Sequence, residues 1–415
     1  MSPELEKVTA LAVELSGRRI GVINRLGGDR HLFSFEQDYI DDTTRPTLSL
    51  SFKSAAGGLV TAVRPTGRKL PPFFSNLLPE GHLREYLAAK AGVKPEREFF
   101  LLAILGSDLA GAVTVRPLDR EGHNVTQDSA DEDRDDERRR RDVLRFSLAG
   151  VQLKFSAVRE AHGGLTIPAH GVGGSWIVKL PSSRFPAVPE NEFVMLALAR
   201  AAGIHVPPNR LVPVADVQGL PPDVARLHGS ALAIERFDRE GTRRIHMEDF
   251  AQVFGLFPDD KYERRSYANI AAVLWAETGD VGTYEFVRRL VFSVLIGNAD
   301  MHLKNWSLLY PDGRTPVLSP AYDFVATLPY IRADSLALTF GGSRGLDGIT
   351  VDQVRRFADT SRLPMKPVWD IVRETVERTL QAWKALDHKD LLPGETLALI
   401  DKQIHTAAAN TARST

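Results

Sequence analysis

Short apolar runs separated by turn residues open the chain. Val8–Leu15 and Ile20–Ile23 flank Ser16-Gly17-Arg18-Arg19, the pattern of a hairpin. Leu32, Phe33 and Phe35 mark another short strand. Helical spacing then covers His82–Lys90 and Glu96–Leu105, with Gly92 between them as a stop signal. Ala112–Val115 returns to strand, so residues 1–118 are expected to form a small α+β domain. Residues 119–142 differ sharply. The stretch DSADEDRDDERRRRD is nearly all charged and without apolar periodicity, so it cannot bury a core and is expected to be a flexible linker or insert. Its run Arg138–Arg141 reads as a solvated tract, with binding of phosphate or an acidic surface as the alternative.

Strand patterns recur over residues 143–238, at Phe155–Val158, Trp176–Leu180, Leu211–Val214 and Ala231–Phe237. One helix, Glu190–Ala202, stands among them and is closed by Gly203. Residues 239–405 are mostly helical in pattern: Met247–Phe254, Ser266–Thr278, Thr283–Ile296 and two or more helices beyond Val351. Short strands at Trp306–Tyr310 and Val317–Leu318 interrupt them, and residues 406–415 read as a tail. The fold class expected is α+β, with a sheet-rich lobe followed by a helical lobe.

Length and composition narrow the function. At 415 residues the chain exceeds one ordinary core. The net charge of -1 gives no whole-chain pull toward nucleic acid or membrane. There is no cysteine, which excludes disulfides, zinc thiolate sites and thiol catalysis and fits a reducing compartment. The N-terminus has charges within its apolar stretch and no small-residue cleavage site, and the most apolar region, Leu290–Ile296, is far too short to span a bilayer. A cytoplasmic protein without membrane contact is expected.

The strongest chemical signal is Gly297-Asn298-Ala299-Asp300-Met301-His302-Leu303-Lys304-Asn305. Asp300 and Asn305 are separated as the Asp and Asn of the protein-kinase catalytic loop are. The Asp must face an attacking hydroxyl and take its proton, while the Asn, one loop turn on, binds magnesium on the phosphates. Downstream, Ser319-Pro320-Ala321-Tyr322-Asp323-Phe324 offers Asp323 as a second metal ligand. By itself such an Asp is a turn residue; its place after the loop makes it a ligand candidate. Lys179, ending the strand Trp176-Ile177-Val178-Lys179-Leu180, is either a snorkelling surface lysine or the lysine that meets the α- and β-phosphates. Glu192 is the expected carboxylate partner, with Glu190 the runner-up. No G-x-G-x-x-G precedes Lys179. The matching place holds Ser147-Leu148-Ala149-Gly150-Val151-Gln152-Leu153-Lys154, where Ala149 and Gly150 let backbone N–H groups approach phosphate and Lys154 adds charge. Glu235-Arg236-Phe237-Asp238 falls between the two blocks, the position of a hinge whose backbone holds adenine.

These motifs, in this order, resemble the HipA-like serine/threonine protein kinases, toxins of type II toxin–antitoxin modules. Phe74-Ser75-Asn76-Leu77-Leu78-Pro79-Glu80-Gly81 and Leu105-Gly106-Ser107-Asp108-Leu109-Ala110-Gly111-Ala112-Val113 resemble two signatures of that family's N-terminal domain. The resemblance spans roughly residues 8 to 390 and implies a two-lobed protein-kinase-like fold, with an N-lobe over 143–238 and a C-lobe over 239–405. It implies Asp300 as proton acceptor, Asn305 and Asp323 on magnesium, and Ala149, Gly150, Val151, Gln152, Lys154, Lys179, Glu235, Arg236, Phe237, His302, Lys304 and Asn305 around ATP. Ser147 matches the autophosphorylation position, where added charge beside the phosphate site silences the enzyme. The partners implied are a HipB-like helix-turn-helix antitoxin, DNA only through that antitoxin, and a protein substrate such as an aminoacyl-tRNA synthetase. Two other readings compete: a small-molecule kinase of the aminoglycoside or choline type, which lacks this N-terminal domain, and a pseudokinase acting as corepressor, against which the intact Lys179, Asp300, Asn305 and Asp323 argue.

Overall fold

A computed structural model describes residues 3–118, 154–159, 164–167, 174–182, 184–221, 224, 226–331 and 335–413. The first sheet is antiparallel in the order β3 (Arg30–Phe35), β2 (Arg18–Leu26), β1 (Ala10–Leu15), β4 (Val113–Leu118). Ser16 and Gly17 make the tight turn between β1 and β2, and the pairing register carries a bulge at Val13 and Glu14. Helices α1 (Gly81–Ala91), capped by Gly92, and α2 (Glu98–Leu105) complete this region, together with short helical turns at Gln37–Asp41 and Pro72–Ser75 that the hydrophobic pattern did not announce.

The second sheet has six strands in the order β8 (Asn209–Pro213), β10 (Ser230–Glu235), β7 (Trp176–Lys179), β5 (Lys154–Arg159), β6 (Leu165–Thr166), β9 (Val217–Gln218). Both faces of its central strands are used. Ala231 and Ala233 of β10, with Val178 and Trp176 of β7 and Phe155 and Ala157 of β5, join one apolar core with the N-terminal sheet. Leu232 and Ile234, pointing the other way, join the core of the helical lobe through α3 (Val188–Ala201). The period-2 alternation of strands thus makes this sheet the shared wall between two cores.

Past the hinge run a small ribbon, β11 (Arg239–Glu240) with β12 (Arg243–Arg244), and then β13 (His246–Asp249). The helix expected over Met247–Phe254 is only half present. Residues 246–249 pair instead with β14 (Ser307–Tyr310), and the helix is the single turn Phe250–Val253. Asp249 starts it by a capping box with Gln252, a local signal that fits strand-then-cap better than continuous helix. β15 (Val317–Leu318) completes the three-stranded sheet. Helix α4 (Tyr267–Ile296) breaks direction at Gly279 (φ 67°, ψ -154°), which separates the two helices the sequence predicts. Helices α5 (Val351–Ser361), α6 (Met365–Ala385) and α7 (Gly394–Ala412) pack against it. The last helix passes beyond residue 405 because Ala407, Ala408 and Thr411 are buried. The fold is α+β and two-lobed, with the small α+β region packed on the sheet-rich lobe. Among the described residues, no helix is long and apolar enough to cross a membrane.

Candidate active site

Three elements bring charge to the cleft face of the second sheet. Lys154 and Lys179 lie directly opposite each other on β5 and β7, so their side chains share a face. Two lysines in that relation repel unless anions are supplied. Glu192, from α3, meets Lys179 Nζ at 2.5 Å, and the carboxylate of Asp323 meets the same ammonium. Glu192 is almost fully buried, whereas Asp323 keeps about a third of its side chain exposed. Burial opposes the charge on Lys179, but Asp323 and Glu192 outweigh it and hold the ammonium above the usual lysine range. Burial, aided by the Lys179 charge, brings Lys154 down to about 8 in spite of Asp323. Asp323 goes the other way: burial would raise it, but Lys179 and Lys154 hold it ionised, at about 2. Glu190, the runner-up partner, is not the residue on Lys179.

The Asp300–Asn305 loop begins where α4 ends. Gly297 closes the helix in the left-handed conformation (φ 68°), and a Cβ there would lie 2.5 Å from Leu328. Asn298 then acts as a clip: its Nδ2 donates to the Asp323 carbonyl at 3.1 Å, and its Oδ1 accepts from the Asp300 backbone N–H at 3.1 Å. Asp323 itself has φ 56°, an unusual backbone for a residue with a side chain, and the Asn298 bond holds it there. Asn305 Nδ2 donates to the Asp300 carbonyl at 2.8 Å, closing the loop on itself. The structure therefore gathers Lys154, Lys179, Glu192, Asp300, Asn305 and Asp323 into one site. His302 is buried, and burial with the nearby Lys261 charge takes it down to about 3, so it is neutral at physiological pH. Among the described residues its buried Nδ1 has no hydrogen-bond partner.

Other expected contacts resolve differently. The Lys304 ammonium goes to Glu80 at 2.7 Å and to the Asn76 carbonyl at 2.9 Å, so it ties the loop to the N-terminal region instead of reaching toward a nucleotide. Glu80 also takes Lys261 at 2.7 Å; burial would raise its carboxyl, yet Lys304 and Lys261 hold it at about 2. In the hinge, the backbone N–H groups of Glu235 and Arg236 are spent on Pro208 and Ser175. The Arg236 guanidinium is buried against Asp238 (2.9 Å) and Asp108 (3.3 Å), and Arg239 joins both carboxylates at 2.8 and 3.0 Å. Arg236 is thus a strut between the hinge and the first region, and its backbone carbonyl accepts from the Arg239 N–H at 3.3 Å. Phe237 is half-buried with its ring 5.7 Å from that of Tyr322. Ser147, Ala149, Gly150, Val151 and Gln152 lie outside the described residues, as does the charged stretch 119–142.

Among the described residues no cluster of three or more His, Cys, Asp or Glu could hold a metal. A magnesium ion carried on nucleotide phosphates does not need one. Asn305 spends its amide nitrogen on the Asp300 carbonyl, which turns Oδ1 into the donor, and Asp323 is an ionised, partly exposed carboxylate. Two hard oxygen donors, completed by phosphates and water, fit that ion. The sequence by itself assigns no role to Asn298, Tyr262, Lys261, Glu80 or Asp108. Asn298 stood within the loop motif, and Glu80 and Asp108 within the two N-terminal signatures, but only the tertiary contacts show what they touch.

The chain is similar to known proteins over nearly its whole length. Residues 11–116 match the HipA N-terminal domain and residues 146–383 the HipA-like C-terminal domain. A relative from Sinorhizobium fredii, named "Putative kinase Y4dM", is 54% identical over 92% of this chain and 93% of its own. The serine/threonine-protein kinase toxin HipA of Shewanella oneidensis is 27% identical over 72% of this chain and 73% of its own. A chain of the solved Shewanella oneidensis toxin–antitoxin complex of HipA, HipB and operator DNA has a similar fold, with a TM-score of 0.72 at 22% identity over 97% of each chain. With both of its regions matched and a relative more than half identical over nearly its whole length, this chain belongs to the HipA family.

Proposed function

We propose that this chain is an ATP- and magnesium-dependent serine/threonine protein kinase that acts as a toxin in the cytoplasm. The observation that carries the reading is Lys179 held between Glu192 and Asp323, with Asn298 linking Asp323 to the backbone of Asp300. On this reading Asp300 takes the proton of an acceptor hydroxyl, and Lys179 and Lys154 meet the phosphates. Asn305 and Asp323 would hold magnesium, which when bound supplies positive charge against the transferring phosphoryl group. The hinge carbonyls and Phe237 border the adenine. The motif at 147–154 would contribute phosphate-binding groups, and phosphorylation of Ser147 would silence the enzyme by adding negative charge to that motif. Residues 1–118 form an accessory domain ahead of the N-lobe at 143–238 and the C-lobe at 239–405. The solved Shewanella oneidensis complex of HipA, HipB and operator DNA supports a HipB-like, DNA-binding antitoxin as partner. The substrate class in this proposal is a translation component, such as an aminoacyl-tRNA synthetase.

The test is phosphoproteomics after brief induction of the chain, alongside its Asp300→Asn variant. New phosphoserine or phosphothreonine on a translation protein, absent with Asp300→Asn, is the expected result. Identical phosphoproteomes would refute the proposal. Label on Ser147 after incubation with labelled ATP alone checks the autoregulatory part.

A further inference from the structure

Tyr262 stands beside Asp300 and has no part in the roles above. Its hydroxyl donates to Asp300 Oδ1 at 2.6 Å. Both residues are on the solvent side of the site: Tyr262 is 38% exposed, and Asp300 is exposed as well. A carboxylate in that setting turns about its side-chain bonds unless something holds its plane. A phenol on one oxygen does so through a charge-assisted hydrogen bond.

Tyr262 is itself fixed from several directions. Its ring stands edge-on to His302, with centroids 5.0 Å apart, so it packs on the same loop that carries Asp300. Its carbonyl accepts from Arg344 at 3.3 Å. The preceding residue is locked twice: the Lys261 carbonyl accepts from the Leu303 N–H at 3.2 Å, and Lys261 Nζ is paired with Glu80 at 2.7 Å. The hydroxyl is therefore delivered to the carboxylate by the loop, the helical lobe and the N-terminal region together.

We infer that Tyr262 is a positioning residue for the catalytic base, orienting the Asp300 carboxylate so that Oδ2 receives the acceptor proton. This rests on the reading of Asp300 as base. Tyr262 acts through Asp300: its hydroxyl is on that carboxylate and its ring packs on His302, so its loss is expected to lower turnover and leave nucleotide affinity unchanged.

The experiment compares wild type, Tyr262→Phe and Asp300→Asn by ADP production from MgATP, with myelin basic protein as acceptor. Nucleotide affinity is taken by calorimetry and folding by the melting temperature. Phenylalanine keeps the ring on His302 and removes only the donor. A fall in kcat of about tenfold is expected for Tyr262→Phe, the loss typical of one hydrogen bond to a charged group, with KM for ATP, nucleotide affinity and melting temperature unchanged. A merely structural tyrosine would move the melting temperature or KM along with kcat, and that result would overturn the inference. A kcat within about twofold of wild type while Asp300→Asn is inactive would overturn it too, leaving the base assignment standing. Turnover that survives in Asp300→Asn would remove the base assignment and this inference with it.

Discussion

Replacing Glu80 by glutamine tests whether the N-terminal region supports the catalytic loop. The Glu80 side chain is only 13% exposed and lies between Lys304 and Lys261, each at 2.7 Å. These two charges take its carboxyl from 4.5 to about 2 against the effect of burial. A shift of about 2.5 units at 1.4 kcal/mol per unit is roughly 3 kcal/mol of folded-state stabilisation, the cost also typical of breaking a buried ion pair. Glutamine keeps the shape and loses the charge, so two lysine ammonium groups remain half-matched. The folded pKa lies below the unfolded one. The contribution is therefore complete above about pH 4.5 and disappears as pH falls toward about 2. Urea unfolding of wild type and Glu80→Gln at pH 7 should differ by about 3 kcal/mol, and the gap should narrow as the pH is lowered through that window. Because Lys304 precedes Asn305, kcat should fall about three- to tenfold as the loop loosens. A stability difference below about 0.5 kcal/mol with unchanged kcat would refute the reasoning.

Lys179→Met should raise KM for MgATP and lower kcat, since Glu192 and Asp323 then lose the cation that holds them together; a fluorescent-nucleotide titration without change would count against it. Asp108→Asn leaves Arg236 and Arg239 with one buried carboxylate between them and should cost about 3 kcal/mol in urea unfolding, with weaker ATP binding as the hinge shifts. Glu248, bonded to Ser49 and the Leu50 N–H of the N-terminal region, is pushed by burial up to about 7. Its folded form binds the extra proton, so stability should decline as pH rises from about 4.5 to 7, and Glu248→Gln should flatten that slope in a pH series of melting temperatures.

Local pattern carried much of the architecture. The hairpin around Ser16-Gly17, the helix stop at Gly92, the break at Gly279 and the two-lobed order follow from short-range periodicity and turn chemistry, and the motif order pointed to the HipA family. The spacing of Asp300 and Asn305 is likewise a property of one loop. Periodicity predicts a helix over Met247–Phe254, yet residues 247–249 are strand, because their partner Ser307–Tyr310 comes some sixty residues later and no local period announces that pairing. The same limit hid the supports of the site. Lys261 finds Glu80 across 181 positions, Arg236 finds Asp108 across 128, and Tyr262 finds Asp300 across 38. Residue type and spacing say which groups are able to carry charge. Which charges meet is decided only when two cores close on opposite faces of one sheet and exclude the water that would otherwise solvate them.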